Sequence, residues 1–374
     1  MKRSIHVATI SGIPIKINYT WFIIFALVVF TLAKGYFPVE LPGEGDLTYW
    51  IMAVAAACLL FISLLLHELS HAIVAVKNDL PMKGITLFVF GGVAHMEKEP
   101  QSPIVEFKMA IAGPACSLLI SVLFFLLTNV FFYLKFPLWA VVITSYLSMI
   151  NLGVAIFNLI PGFPPDGGRL LRAALWKYFN DIKKATLIAT NCGKGFAYIL
   201  MGFGLLNIFA ASFLSGVWFI FIGLFLLEAA EVSYQQTAMK NILSGILTKE
   251  IMTKDVVAVD AELHLNDLVD KYFFRYRFTS FPVISSDALV GLITLHNVKD
   301  VPRERWGETL TKEAMVPLSS LILIGPDVEV MEALSKMAAN GIGRLIVVQD
   351  HKILGFLSQR DVMRLFEVRL DLKT

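Results

Sequence analysis

Two histidines and a glutamate, His67, Glu68 and His71, fall in the order His-Glu-Leu-Ser-His inside an otherwise apolar run. Between Ile51 and Val76 the only other strongly polar side chains are Ser63 and Ser70. Burying three ionisable groups in such a segment costs several kcal/mol unless a partner satisfies them. A metal ion is the natural partner. Positions i and i+4 share a helix face, so His67 and His71 can hold one zinc. Glu68 then lies beside the water that the metal activates, as general base rather than ligand. The rival reading is a chance match inside a transporter helix, and the desolvation cost argues against it.

The elements that position these residues belong to a membrane protein. Of 374 residues 56% are hydrophobic and only 17% charged, with mean hydropathy +0.69, where soluble domains carry about 25% charged residues. The charge is uneven. Residues 1–246 hold 16 Lys/Arg and 12 Asp/Glu, and residues 247–374, half as long, hold 16 and 18. A membrane part therefore precedes a soluble one. No basic patch with interleaved aromatics argues for nucleic acid. Cys58, Cys116 and Cys192 are isolated and read as small apolar packing residues. The N-terminus runs through polar and β-prone residues, so no cleavable signal peptide is expected.

Six apolar stretches are long enough to span a bilayer, near 19–36, 50–77, 104–134, 137–160, 185–211 and 215–236. Gly113-Pro114 interrupts the third, which is expected to bend or be partly re-entrant. Lys2, Arg3 and Lys16 precede span one, and Lys77, Lys83, Lys98 and Lys108 lie between spans two and three. Arg169, Arg172, Lys177, Lys183 and Lys184 lie between four and five, and Lys240 follows six. The alternate loops are poor in cations, so the positive-inside rule puts both termini in the cytosol of a multi-pass cell-membrane protein. Residues 4–17, centred on Ser11-Gly12, read as a β-hairpin, and residues 84–96, with a Gly91-Gly92 break, as a strand or hairpin at the membrane.

Catalytic zinc keeps three protein ligands and one open position, so another His, Asp or Glu is needed. The candidate is Asp166, in FNLIPGFPPDGGRLLR at 157–172, where Pro161, Pro164 and Pro165 end span four. Asp before Gly-Gly is also a common turn. Topology favours the ligand, since spans two and four run in the same direction and bring His67, His71 and Asp166 to similar depth. His95, beside the Gly-Gly break, reads as structural or interfacial.

These residues make the chain resemble the site-2 protease family of intramembrane zinc metalloproteases: HELSH at 67–71, AIAGP at 110–114 and FNLIPGFPPDGG at 157–168. The family's second motif resembles Asn-x-x-Pro-x-x-Pro-x-Asp-Gly, and Asn158, Pro161, Pro164, Asp166 and Gly167 fit it, with Pro165 directly before the Asp. The resemblance implies that His67, His71 and Asp166 bind one zinc per chain and that Glu68 activates water. It also implies that Asn158 is a catalytic polar partner near the reacting carbonyl; an Asn hydrogen-bonded between helices explains it equally well. The implied activity is a zinc-dependent intramembrane metalloendopeptidase, cutting single-span membrane-protein substrates in regulated intramembrane proteolysis. A helical substrate must unwind before attack, and residues 84–96 offer an edge strand to receive it. Proline at Val89 or Val93 is the change expected to disrupt that edge.

The tail contains an internal repeat. FPVISSDALVGLITLHNV at 281–298 parallels RLIVVQDHKILGFLSQRDV at 344–362, with Val283 and Gly291 recurring at Val347 and Gly355. Such β-α-β-β-α units stack in pairs. They resemble a pair of cystathionine β-synthase (CBS) domains, which implies an adenine nucleotide in the cleft between repeats. In that family a Ser or Thr followed three residues later by Asp contacts phosphate and ribose. Ser358 and Asp361 have this spacing, whereas Thr294 is followed by Asn297. A homodimer formed through the CBS pair, with no ligand, is the equal reading.

The expected architecture is a polytopic α-helical membrane domain of six transmembrane helices with short β-hairpins, residues 1–246, followed by two α/β CBS domains, 247–310 and 311–374. A CBS-regulated transporter or channel with a metal or proton site is the rival, and predicts ionisable residues reaching both membrane faces. A receptor with a structural metal is the third reading, and would close the coordination with a fourth ligand.

Overall fold

Alternating side chains through residues 4–18 build a hairpin, β1 (Ser4–Ile10) and β2 (Ile13–Asn18). Ser11 and Gly12 take positive φ, 52° and 77°, at its turn, as a tight hairpin linking right-twisted strands requires. The computed structural model describes residues 4–88, 91–96, 100–210, 212–286, 288–318, 322–349 and 352–372, without the side chains of residues 91, 93–95, 236, 240 and 241. Val89 therefore lies outside the described residues, as do the side chains of Val93 and His95.

Among the described residues six helices are long and apolar enough to cross a membrane, and an amphipathic helix lies between the fourth and fifth of them. They are α1 (Thr20–Glu40), α2 (Asp46–Val76), α3 (Pro103–Tyr133), α4 (Leu138–Asn158), the amphipathic α5 (Asp166–Phe179), α6 (Ile182–Ala210) and α7 (Phe213–Leu243). Between α2 and α3 lie β3 (Met82–Phe88) and β4 (Gly91–Met96). The third span is not re-entrant: α3 runs as one helix through Pro114. One missing N–H removes a single hydrogen bond from a 31-residue helix, and lipid offers the backbone no other partner.

Ala53, Ala56, Ala57 and Leu60 of α2 are buried against Val29, Leu32, Ala33 and Phe37 of α1 and Ile143 and Leu147 of α4. Small side chains let membrane helices approach closely. Helices α3 and α4 add reciprocal hydrogen bonds, Ser121 Oγ donating to Ser148 O at 2.8 Å and Ser148 Oγ to Ser121 O at 3.0 Å. Outward-facing residues such as Leu119, Phe125 and Phe132 stay exposed, as a lipid-facing surface should. The two hairpins form one sheet in the order β1-β2-β3-β4, because β2 pairs with β3 in parallel, Ile15 opposite Ile85. Ile13, Ile85 and Leu87 bury that sheet against Leu69 and Ala72 of α2. Strand β4 is left at the sheet edge.

The chain divides into two units, Met1–Thr237 and Ala238–Thr374. The second holds two small sheets, one of β5 (Val259–Asp260), β6 (Ser280–Ser285), β7 (Ala288–Thr294) and β8 (Val316–Pro317). The other comprises β9 (Leu323–Ile324), β10 (Arg344–Gln349) and β11 (Lys352–Ser358). The repeat is visible in register: Val283 pairs with Gly291 and Val347 with Gly355, each just before a bulge. The repeats also exchange their leading segments. Gly291 abuts Met315 and Val316, while Gly355 abuts Met252 and Thr253.

Candidate metal centre

Seven residues of Pro- and Gly-rich chain, 159–165, separate the end of α4 from the helix that carries Asp166. Pro165 forms the N-terminal boundary of α5 and Asp166 its first turn, where a carboxylate is favoured by the helix dipole. The 3.6-residue period of α2 puts His67 and His71 on one face, their Nε2 atoms 3.2 Å apart. Asp166 Oδ2 lies 3.2 Å from His67 Nε2 and 3.1 Å from His71 Nε2. Without a metal, burial would raise the Asp166 carboxyl, but protonated His67 and His71 donating to it outweigh burial and hold it below the usual carboxylate range. A cation at the site takes the place of those protons.

Helix α3 orients both imidazoles. His71 Nδ1–H donates to the Met109 carbonyl at 2.7 Å, which leaves a lone pair on Nε2 in the neutral ring. His67 Nδ1 lies 2.9 Å from Ser117 Oγ. Between these two partners stands Gly113, where a Cβ would collide with Nε2 of both histidines. A Gly is therefore what lets α3 pass behind the donors. Two lone pairs and a carboxylate converging at 3.1–3.2 Å repel one another unless a cation lies between them. A tetrahedral zinc with bonds of about 2.0–2.1 Å sets its donors about 3.3 Å apart, so the residues fit that ion. Among the described residues this group has three members and no fourth His, Cys, Asp or Glu.

The family model described as Peptidase family M50 matches residues 55–137 and 138–202, which contain all three donors and Glu68. Zinc metalloprotease MJ0392 of Methanocaldococcus jannaschii is 32% identical over 375 residues, covering 100% of this chain and 98% of that protein. The chain belongs to peptidase family M50. A Synechocystis protein, sll0528, is likewise 32% identical over 97% of this chain and 96% of its own length. The solved site-2 protease from M. jannaschii is 33% identical, covering 62% of this chain and 95% of that one, with a TM-score of 0.42. The CBS domain model matches residues 248–304 and 312–368. This M50 protein is thus a multi-pass membrane metalloprotease of a zinc family, with tandem CBS domains after its membrane helices.

Other residues singled out in the sequence lie as follows. Glu68 is part-buried beside the donors, and Gly92 of β4 packs on it: a Cβ there would stand 2.5 Å from Glu68 Cγ and 3.2 Å from Cδ. Asn158 ends α4, half-buried, and its side chain makes no hydrogen bond to another described residue. Ser358 and Asp361 cap a helix, α8 (Gln359–Asp371), with Ser358 Oγ donating to Asp361 Oδ2 at 2.6 Å and Asp361 N–H to Ser358 Oγ at 3.3 Å. Thr294 and Asn297 form the same box at residues 295–299, at 2.6 and 3.3 Å. Asn297 thus reproduces the local hydrogen bonds of Asp361 without its charge. Met109, Gly113, Ser117 and Gly92 were not singled out as site residues. Gly113 and Gly92 lay in plain view, within AIAGP and the Gly-Gly break, but only the fold shows what they touch.

Proposed function

We propose that this M50 protein is an intramembrane zinc endopeptidase that cuts single-span membrane proteins near the cytosolic side and releases cytosolic fragments. One observation carries the reading: two imidazoles and a carboxylate converge at 3.1–3.2 Å among helices apolar enough to cross a membrane. His67, His71 and Asp166 would hold the zinc. Bound there, zinc polarises a peptide carbonyl and lowers the pKa of water towards 7. Glu68 takes the proton from the attacking water at its carboxylate and delivers it to the leaving amine. Asn158 lies on the chain that leads to Asp166, and is assigned to the substrate carbonyl by resemblance alone. The edge strand β4, in contact with Glu68 through Gly92, receives the unwound substrate as an added strand. A substrate strand added there would lie beside the general base.

The Lys/Arg-rich loops favour both termini and the CBS pair on the cytosolic side. The pair senses an adenine nucleotide through Ser358, Asp361 and Thr294, or joins two copies. The domain limits follow as 1–246, 247–310 and 311–374.

The test begins with zinc content of the purified full chain. One zinc per chain is expected, lost in His71→Ala and in Asp166→Ala. Glu68→Gln should keep the metal and lose cleavage of any member of a panel of tagged single-span proteins that the wild type cuts. No zinc after reconstitution would remove the protease reading and favour the transporter.

A further inference from the structure

A buried ion pair joins the helix that orients the histidines to the helix that carries the aspartate. Glu106, on the first turn of α3, is 1% exposed, and Arg172 of α5 is 6% exposed. Arg172 Nε–H donates to Glu106 Oε1 at 2.7 Å, and Nη2 donates to the same oxygen. The guanidinium also lies over the Phe163 ring, 5.2 Å from its centroid. Phe163 is in turn held by its N–H, which donates to Ala189 O of α6 at 3.2 Å. Arg172 therefore grips the chain on both sides of Asp166, three residues before it and six after.

The other end of the pair is equally placed. Glu106 precedes Met109 by three residues, so both belong to one turn of α3, the turn whose carbonyl fixes His71. A single rigid turn thus sets one histidine directly and the aspartate's helix through Arg172.

The pair is poorly built for stability alone. Glu106 Oε2 is buried without a hydrogen-bond partner among the described residues, and buried ion pairs are commonly no better than apolar side chains of similar volume. What charge adds over an apolar contact is direction: a fork of N–H groups on one oxygen defines register where greasy side chains slide.

We propose that Glu106 and Arg172 are positioning residues for the metal centre, which register Asp166 against His67 and His71 and thereby set affinity and geometry for zinc. The proposal rests on the zinc reading of the three donors. It requires no contact between the pair and the metal, and acts through the placement of α5 alone.

The experiment uses the full chain in lipid nanodiscs, with zinc affinity measured by chelator competition and ligand geometry by the visible spectrum of the cobalt(II)-substituted protein. The double variant Glu106→Met/Arg172→Met replaces the pair with apolar side chains and leaves no unpaired charge. Its metal-free melting temperature should match the wild type, its zinc affinity should fall 10- to 100-fold, and its cobalt spectrum should shift. Arg172→Lys keeps the charge but loses the fork, and should lie between the two. Wild-type affinity and spectrum in the double variant would reduce the pair to packing and overturn the proposal. If the double variant does not fold, Arg172→Lys decides alone, weakened zinc supporting the proposal and unchanged zinc overturning it. A wild type without zinc would instead overturn the metal centre itself, and this proposal with it.

Discussion

Gly92→Ala separates the general base from the metal, because it pushes on one and not on the other. The new Cβ would stand 2.5 Å from Glu68 Cγ and 3.3 Å from Leu87 Cδ2. Carbon atoms rest at about 3.5–4.0 Å, so the Glu68 contact is about 1 Å too short. Leu87 Cδ2 is the end of a flexible side chain and gives way easily. Glu68 Cγ lies near the root of its side chain, so the carboxylate must shift by about the same 1 Å. A misplacement of that size costs on the order of 10²-fold in rate, equivalent to about 2.7 kcal/mol of barrier. None of the three atoms nearest the Cβ belongs to His67, His71 or Asp166, so zinc should stay. The assay is kcat on a cleavable single-span test protein beside zinc per chain, with Gly153→Ala as control because its Cβ meets nothing within 4 Å. Unchanged kcat in Gly92→Ala would show that Glu68 does not work from this position. Loss of zinc would show that the hairpin supports the donors rather than the base.

Gly113→Ala should do the reverse, since its Cβ collides with Nε2 of both histidines; zinc content should fall to background while the other helices stay folded by circular dichroism. Ser117→Ala removes the group beside His67 Nδ1 and should weaken zinc 10- to 100-fold by chelator competition, with Ser117→Thr restoring most of it. Saturating zinc at about a thousand times its dissociation constant should stabilise the membrane unit by about 4 kcal/mol, seen as a fall in melting temperature on chelation that added zinc reverses. Ser358→Ala removes the cap of α8 and should cost the CBS unit about 1 kcal/mol in urea unfolding, with no change in zinc content.

What the sequence made legible was local or topological. The i, i+4 spacing of His67 and His71 needs only one helix, and Asp166 entered through the direction of two spans rather than any local pattern. The six spans were readable because an apolar run of about 20 residues has few other uses. Pro114 misled because proline breaks helices in water, where the freed carbonyl and the chain beyond it find other partners; in lipid the helix is the state that satisfies the backbone. The hairpins were legible singly, through Ser11-Gly12 and Gly91-Gly92. Their union was not, since Ile15 meets Ile85 by a parallel pairing that no local turn encodes. Ser117 and Met109 stayed hidden for the same reason, lying 50 and 38 residues from the histidines they orient. In the tail, the 64-residue recurrence of Val283 and Gly291 located the strand pairs, but the exchange of Met252 and Met315 between repeats emerges only in the fold.

Helix α3 is the element on which these strands of reasoning meet. In water, a histidine nitrogen that faces no protein group finds a solvent molecule, so an HExxH helix can orient its ligands loosely. Within apolar helices that option is costly, and each Nδ1 must be met by a named group. Here one helix meets both, with the Met109 carbonyl and the Ser117 hydroxyl eight residues apart and Gly113 midway between them. Eight residues are about 12 Å of helix, twice the i to i+4 rise that separates His67 from His71, so the two anchors bracket the pair of imidazoles and the small midpoint lies against the donors, which is where a Cβ would collide. The placement of a glycine between two polar anchors thus encodes both how close α3 comes and how the imidazoles turn.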